Sequence, residues 1–473
     1  MATKEQIITG EEVEFHEGKK ISLPRGMTYK RAFEILTRLK EEAETLTQFD
    51  RVFLYRPDDG AHATYHCMRA RWGMALGKIT ETFFGVRPAE SRTIPVAFGK
   101  TMQVPWGRVE VPHLEGLEFF ILEDEHKEYG KVFKLYARGP KKHKAEVEAL
   151  FDDVQEYLQT KSIYRGQAII GSDSLEFLNL DIDLSKIVFS DQVNEELGAM
   201  LWSSLRYSDR MRTEGLSLKR AVLLHGPYGT GKTSIGLITA KEAVEAGWTF
   251  LSAKPGRDKI ENVLRTARLY EPAVVFVEDI DNQTENGEAD AVSRLLDAFD
   301  GITSKGGELM ICLTTNHLDR IHKGMLRPGR LDAIVEIAGL DRHGIERLIK
   351  AVVPEGKLSE TCDYDAVYAQ MDGFLPAFVR ETINRAVTFA VARIKGEGAY
   401  IIDTPDLVHA AQSLHPQLAA LTDANEGVKR PTLDKALEST VLTAMDRVKT
   451  YDPSYEEFYD LQIAAESITA DSK

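Results

Sequence analysis

Apolar positions along the chain fall into three regimes. Near the start, Ala32, Ile35, Leu36, Leu39, Ala43 and Leu46 recur at helical spacing. Short runs of β character follow, Thr93–Phe98, Met102–Trp106, Leu117–Leu122 and Lys131–Tyr136, punctuated by Gly and Pro. Within Lys144–Leu158 the residues Val147, Leu150, Phe151, Val154 and Leu158 again form one helical stripe. This mixture predicts an α+β domain over residues 1–180. From Ala221 the pattern alternates. Strands are predicted at Ala221–His225, Thr249–Ala253, Ala273–Val277 and Leu309–Leu313, with helices at Lys232–Ala246, Asp258–Leu269 and Ala289–Phe299. Apolar strands separated by amphipathic helices predict an α/β sandwich, a parallel sheet covered on both faces, over residues 181–339. After Gly339 helices dominate, which predicts a helical lid over 340–415. Asn425–Pro431 reads as a linker, and residues 416–473 as a C-terminal helix (Thr432–Lys449) with an acidic tail.

Composition narrows the class. A chain of 473 residues is too long for one typical domain, and 43% hydrophobic with 28% charged residues is the balance of a soluble globular protein. No run of 18 apolar residues occurs, so no transmembrane helix is predicted, and the polar, acidic Met1–Lys20 does not resemble a leader. The net charge of −15 is unevenly spread. Residues 1–170 carry 26 Lys/Arg and 26 Asp/Glu, so the acidic excess lies further on and no broad nucleic-acid footprint is present. Cys67, Cys312 and Cys362 are few and odd in number, which suits a reducing cytosol and gives no disulfide framework. His62, His66 and Cys67 have ligand-like spacing, but without a fourth ligand nearby ordinary packing is favoured over zinc.

Chemistry concentrates at two places. Gly226-Pro227-Tyr228-Gly229-Thr230-Gly231-Lys232-Thr233 fits the Walker A pattern, following a predicted strand and opening a helix. Its glycines allow the backbone to wrap phosphates, so that N–H groups and the helix N-terminus face negative charge. Lys232 adds a cation at the β- and γ-phosphates, and the Thr233 hydroxyl is a candidate Mg2+ ligand. The second place is the end of Ala273–Val277, where Glu278 and Asp279 follow a buried strand. Two carboxylates there suit Mg2+-assisted phosphoryl transfer: Glu278 on the metal side, Asp279 orienting the attacking water.

These motifs continue into Leu313-Thr314-Thr315-Asn316-His317-Leu318-Asp319-Arg320 and Met325-Leu326-Arg327-Pro328-Gly329-Arg330-Leu331-Asp332, which resemble the second region of homology of the AAA ATPases. Phe189-Ser190-Asp191-Gln192-Val193 sits where that family places its adenine-side loop, which makes Asp191 a candidate nucleotide contact. The resemblance spans roughly Leu184 to Leu414; Thr314–Asp319 and the Glu278-Asp279 order look most like the branch containing the mitochondrial Rieske-protein translocase. It implies ATP and Mg2+ as ligands, Asn316 as sensor 1, and Arg327 and Arg330 as arginine fingers reaching a neighbouring subunit's γ-phosphate. A P-loop αβα sandwich assembled into a homo-oligomeric, hexameric ring follows from the same resemblance.

Three departures from the family stand out. Its usual Asp-Glu order is reversed at 278–279. Only Lys254–Arg257 separates strand from helix where the family has an aromatic first pore loop, and the acidic segment Asp281–Asp290 carries no aromatic either. Pro376 stands where the family commonly has Gly, with Arg380 nearby as a possible sensor 2. The expected activity is ATP hydrolysis that remodels or disassembles a protein client, handled folded through the N-terminal domain and not threaded. Alternatives are a slow-turnover, ATP-gated scaffold, suggested by the reversed carboxylates, and a loader of nucleic-acid complexes, which the balanced N-terminal charge disfavours.

Overall fold

In the computed structural model, residues 14–16, 20–22, 27–73, 80–82, 85–87, 90–111, 114–254, 257–280, 307–321, 331–395 and 398–419 are described. The first part runs β1 (Glu14–His16), β2 (Lys20–Ser22), α1 (Tyr29–Glu44), β3 (Leu46–Phe53), α2 (Pro57–Trp72), β4 (Thr80–Thr82) and β5 (Gly85–Arg87). It continues through β6 (Ser91–Ala97), β7 (Lys100–Pro105), β8 (Gly107–Glu110), β9 (Glu118–His126), β10 (Gly130–Pro140) and α3 (Lys144–Lys161). Strands β3-β10-β9-β8 form an antiparallel sheet in that order. Helices α2 and α3 pack against it. The helix α2 comes so close to β10 that a Cβ on Gly60 would overlap the Phe133 ring. Sequence patterning misses α2 because its buried side includes Asp59, His62 and Thr64, which break the apolar stripe. His62 and His66 sit against the Tyr157 ring, and among the described residues no group of three or more His, Cys, Asp or Glu could hold a metal ion.

The second part adds β11 (Ala168–Ile170), β12 (Glu176–Phe177), α4 (Asp191–Leu197), α5 (Ser203–Arg206), α6 (Ser208–Thr213), β13 (Arg220–His225) and α7 (Lys232–Glu245). Then come β14 (Thr249–Ser252), α8 (Ile260–Leu269), β15 (Ala273–Val277), β16 (Leu309–Thr315) and β17 (Ala333–Glu336). The sheet order is β12-β11-β14-β15-β16-β13-β17, parallel throughout except where β12 meets β11. Every residue of β15 and β16 is buried, as a strand covered on both faces requires. Because β11 and β12 pair into this sheet, its first strands precede position 180, where patterning draws the domain limit. The expected helix Ala289–Phe299, the linker Asn425–Pro431 and the C-terminal helix Thr432–Lys449 lie outside the described residues.

One hydrophobic core runs through both parts, from Phe53, Phe119 and Phe133 to Val263, Tyr270, Val275 and Ile311. A buried polar knot crosses the same boundary. The Arg56 backbone N–H donates to the Tyr270 hydroxyl (3.0 Å), while its guanidinium donates to the Lys131 carbonyl (2.6 Å) and to Thr266 Oγ1 on α8. Beside it the fully buried Asp59 accepts from Ser162 Oγ (2.6 Å) and from the Ile163 N–H (3.0 Å). The Arg56 bonds to Tyr270 and Thr266 cross the junction and tie the N-terminal part to α8, while the Asp59 bonds fasten α2 to the end of α3 within that part.

A second unit comprises Gly356–Met371 together with the chain from Thr382 onward. Its described part is held by a capping box on Asp403, an Arg393–Asp406 ion pair (2.8 Å) and a bridge between Leu358 and Ile402. Helix Arg342–Val352 and residues 372–381 group with the sheet instead, so the grouping differs from a lid spanning 340–415.

Burial pushes the Asp59 carboxyl up to about 7 from an ordinary 3.8, against the opposing pull of its Ser162 and Ile163 bonds. The folded state thus holds this proton more tightly than the unfolded chain. The resulting stabilisation is full below about pH 4 and is lost as pH rises to about 7. Asp59→Asn should therefore gain on the wild type in melting temperature between pH 5 and pH 8. Parallel wild-type and variant curves across that range would contradict the assignment.

Candidate functional site

Parallel strands deliver their C-terminal ends to one edge of the sheet, the place where such sheets bind ligands. There β13 leads into the turn Gly226–Gly231, and α7 begins at Lys232. Gly229 (φ 85°) and Gly231 (φ 97°) hold left-handed backbone that a side chain would strain. A Cβ on Gly231 would also sit 3.1 Å from the buried Phe189 ring, which lies beneath the loop. The Lys232 ammonium donates to the carbonyls of Gly226 (2.7 Å) and Pro227 (2.9 Å), and Thr230 Oγ1 donates to Pro227 (3.0 Å). These bonds curl the loop around its own lysine.

Strand β16 lies between β13 and β15. Residues just past its end are therefore placed between the phosphate loop and the acidic strand end. Asn316 Nδ2 donates to Asp279 Oδ1 (2.8 Å), and the Asp279 N–H donates to Thr314 Oγ1 (3.0 Å). Asp279 itself has φ 47°. Glu278 keeps a buried Oε1 with no hydrogen-bond partner.

A cavity of about 310 Å³ opens at this edge. It is lined by Tyr228, Gly229, Thr230, Gly231, Lys232, Thr233 and Ser234 of the loop, by Asp279, Thr314 and Asn316, and by Ile187, Val188, Phe189, Leu348, Pro376, Ala377 and Arg380. The structure thus gathers nine of the candidate site residues named from sequence: Tyr228, Gly229, Thr230, Gly231, Lys232, Thr233, Asp279, Asn316 and Arg380. Gly226 and Pro227 serve the loop through their carbonyls, and Glu278 does not line the cavity. Asp191 is not among the lining residues; its exposed carboxylate pairs with Arg347 (2.9 Å). Arg327 and Arg330 lie outside the described residues, as does Asp281–Asp290. Arg380 donates to the Lys186 carbonyl.

Oxygen donors together with the Lys232 ammonium and the Arg380 guanidinium match a triphosphate and Mg2+. Magnesium in such sites takes one or two carboxylates and completes its shell with phosphate and water, so no three-ligand protein cluster is required. The partnerless Glu278 oxygen, the exposed Thr233 at the loop and Asp279 at the cavity are hard donors of that kind.

Arg347 carries no motif signal, yet besides Asp191 it also bonds the Phe189 carbonyl (2.8 Å). It fastens the Ile187–Phe189 wall of the cavity to helix Arg342–Val352, which supplies Leu348 to the same cavity. Removing this half-exposed clamp should cost about 1 kcal/mol of nucleotide binding, roughly fivefold in Kd. We expect Arg347→Ala to weaken ATP binding by that factor in calorimetry with kcat little changed; unchanged affinity would show that the clamp does not shape the cavity.

Comparison with known proteins gives a matching picture. The profile of the ATPase family associated with various cellular activities (AAA) matches residues 222–338. The chain is 28% identical over 235 residues to the ATP-dependent zinc metalloprotease FtsH 3 of Sphaerobacter thermophilus, covering 45% of this chain and 47% of that protein. It is 30% identical over 231 residues to FtsH 1 of Symbiobacterium thermophilum, covering 44% and 38%. Against FtsH of Streptococcus pneumoniae it is 28% identical over 252 residues, covering 49% and 37%. The chain thus matches less than half the length of each of these relatives. The matched segment contains the phosphate loop, the acidic strand end and the polar residue between them. Residues 222–338 are thus an AAA ATPase domain, the module with which that family uses ATP and Mg2+.

Proposed function

We propose that the chain works as a ring-forming, Mg2+-dependent ATPase that remodels or disassembles a protein partner. The observation that carries this reading is the convergence of Lys232, Thr233, Asp279 and Asn316 on one cavity from the ends of three neighbouring strands. The ammonium of Lys232 would exchange its two carbonyl partners for β- and γ-phosphate oxygens. Asp279 would orient the attacking water, with Asn316 fixing the carboxylate at 2.8 Å. Thr233 and Glu278 would hold the Mg2+, which neutralises charge on the phosphates.

The relatives are named as zinc metalloproteases, but these 473 residues contain no His-Glu-x-x-His run, so peptide hydrolysis is not part of the proposal. No helix among the described residues is long and apolar enough to cross a membrane. The N-terminal part shares a core with the sheet, so nucleotide-driven movement of α8 would carry it along. A folded partner bound there would be moved without passing through the ring. Residues 253–259 join β14 to α8, seven positions with no aromatic to grip an extended chain.

A ring implies a site completed from the neighbouring subunit, and Arg327 and Arg330 are the candidate contributors. A trans arginine is typically worth about 10³–10⁵ in rate. Arg330→Ala and Lys232→Ala should each be inactive alone, yet mixing them should restore part of the ATPase activity, because some interfaces join one intact half from each. No recovery at any ratio, with mixed assemblies shown by native mass spectrometry, would contradict the shared site.

A further inference from the structure

The position of Asp279 says why an aspartate stands there. It lies between two core residues, Val277 and Ile280, neither of which has any exposed surface. The chain must leave the sheet and return to the core using only positions 278 and 279. Asp279 does so with φ 47°, left-handed backbone that brings a Cβ close to the following carbonyl oxygen. Residues with longer or branched side chains avoid that region; Asn and Asp enter it more readily, because a short polar side chain can bond locally. Two bonds from β16 then fix the residue. Its N–H is held by the buried Thr314 hydroxyl at 3.0 Å and its Oδ1 by Asn316 at 2.8 Å. Backbone and carboxylate are thus pinned separately, which is how an uncommon conformation is maintained.

We infer that the left-handed turn selects aspartate at 279: the turn and Asn316 together place a short carboxylate at the phosphate end of the cavity, and a glutamate cannot occupy the same position. A glutamate would carry its carboxylate one C–C bond further, roughly 1.5 Å, past the reach of the Asn316 bond. It would also sit in backbone that disfavours it. Reach at this site is set by the turn, and Asp279 with Asn316 and Thr314 forms one positioning unit. This inference rests on the reading of Asp279 as the water-orienting group, but its conformational part is measured separately.

The experiment compares Asp279→Gly, Asp279→Asn and Asp279→Glu in the full chain. Melting is followed without nucleotide, ATP affinity by calorimetry, and turnover by phosphate release. Melting temperatures should follow the order set by backbone tolerance: glycine and asparagine close to wild type, glutamate lower by a few degrees. The glutamate variant should bind ATP within about threefold of wild type and lose at least roughly tenfold in kcat, since the damage falls on positioning and not on binding. A glutamate variant that melts and turns over like wild type would overturn the inference. An asparagine variant that hydrolyses ATP at the wild-type rate would remove Asp279 as the water-orienting group. Even then the melting order would decide whether the turn selects the residue.

Discussion

Phosphate charge is the constraint around which the molecule is arranged. A triphosphate needs several N–H donors and a cation converging on one point, with no carboxylate intruding. A strand that turns through left-handed glycines into a helix meets that need. Gly229 and Gly231 supply the turn, α7 supplies the helix N-terminus, and the buried Lys232 supplies the cation, resting on the carbonyls of Gly226 and Pro227. Sheet order does the rest. With β16 between β13 and β15, Asn316 at its end stands between the loop and the acidic strand end, bonded to Asp279, and all three face one cavity. The reactive geometry thus follows from which strands are neighbours.

Much of this was legible in the sequence, for a physical reason. Strands buried on both faces read as uninterrupted apolar runs, so Ala273–Val277 was found to the residue and β13 and β16 to within one or two. The glycine-rich loop announces itself because few sequences satisfy its backbone. Other elements gave weaker signals. Helix α2 buries Asp59, His62 and Thr64 among its apolar residues, and Asp59 finds its partners a hundred residues away at Ser162 and Ile163, so the periodicity vanishes. Strands β11 and β12 are three and two residues long, too short to show alternation. Asp191 was singled out from the place of its segment, whereas the cavity takes Ile187, Val188 and Phe189 from just before it. The arginine holding that segment, Arg347, is one charge among several on an amphipathic helix, and nothing local distinguishes it.

The N-terminal part changes character once its packing is visible. Periodicity alone presents it as a separate α+β domain, yet its core continues into that of the sheet and its Arg56 ends on α8. Burying a guanidinium is costly unless it finds hydrogen-bond partners, and Arg56 finds one within its own part, the Lys131 carbonyl, and one on a helix of the ATPase part, Thr266. Force generated at the sheet edge would pass into this module through packed side chains without a hinge. That arrangement is the one the proposed action on a folded partner requires.

If the turn before α7 binds the phosphates, Lys232 is its essential cation. Calorimetric titration of ATP with Mg2+ into the wild type and Lys232→Ala tests it most directly. The wild type should show a measurable Kd and the variant a loss of at least roughly a hundredfold, with the fold intact by circular dichroism. Affinity within about twofold of wild type in a folded Lys232→Ala protein would contradict it.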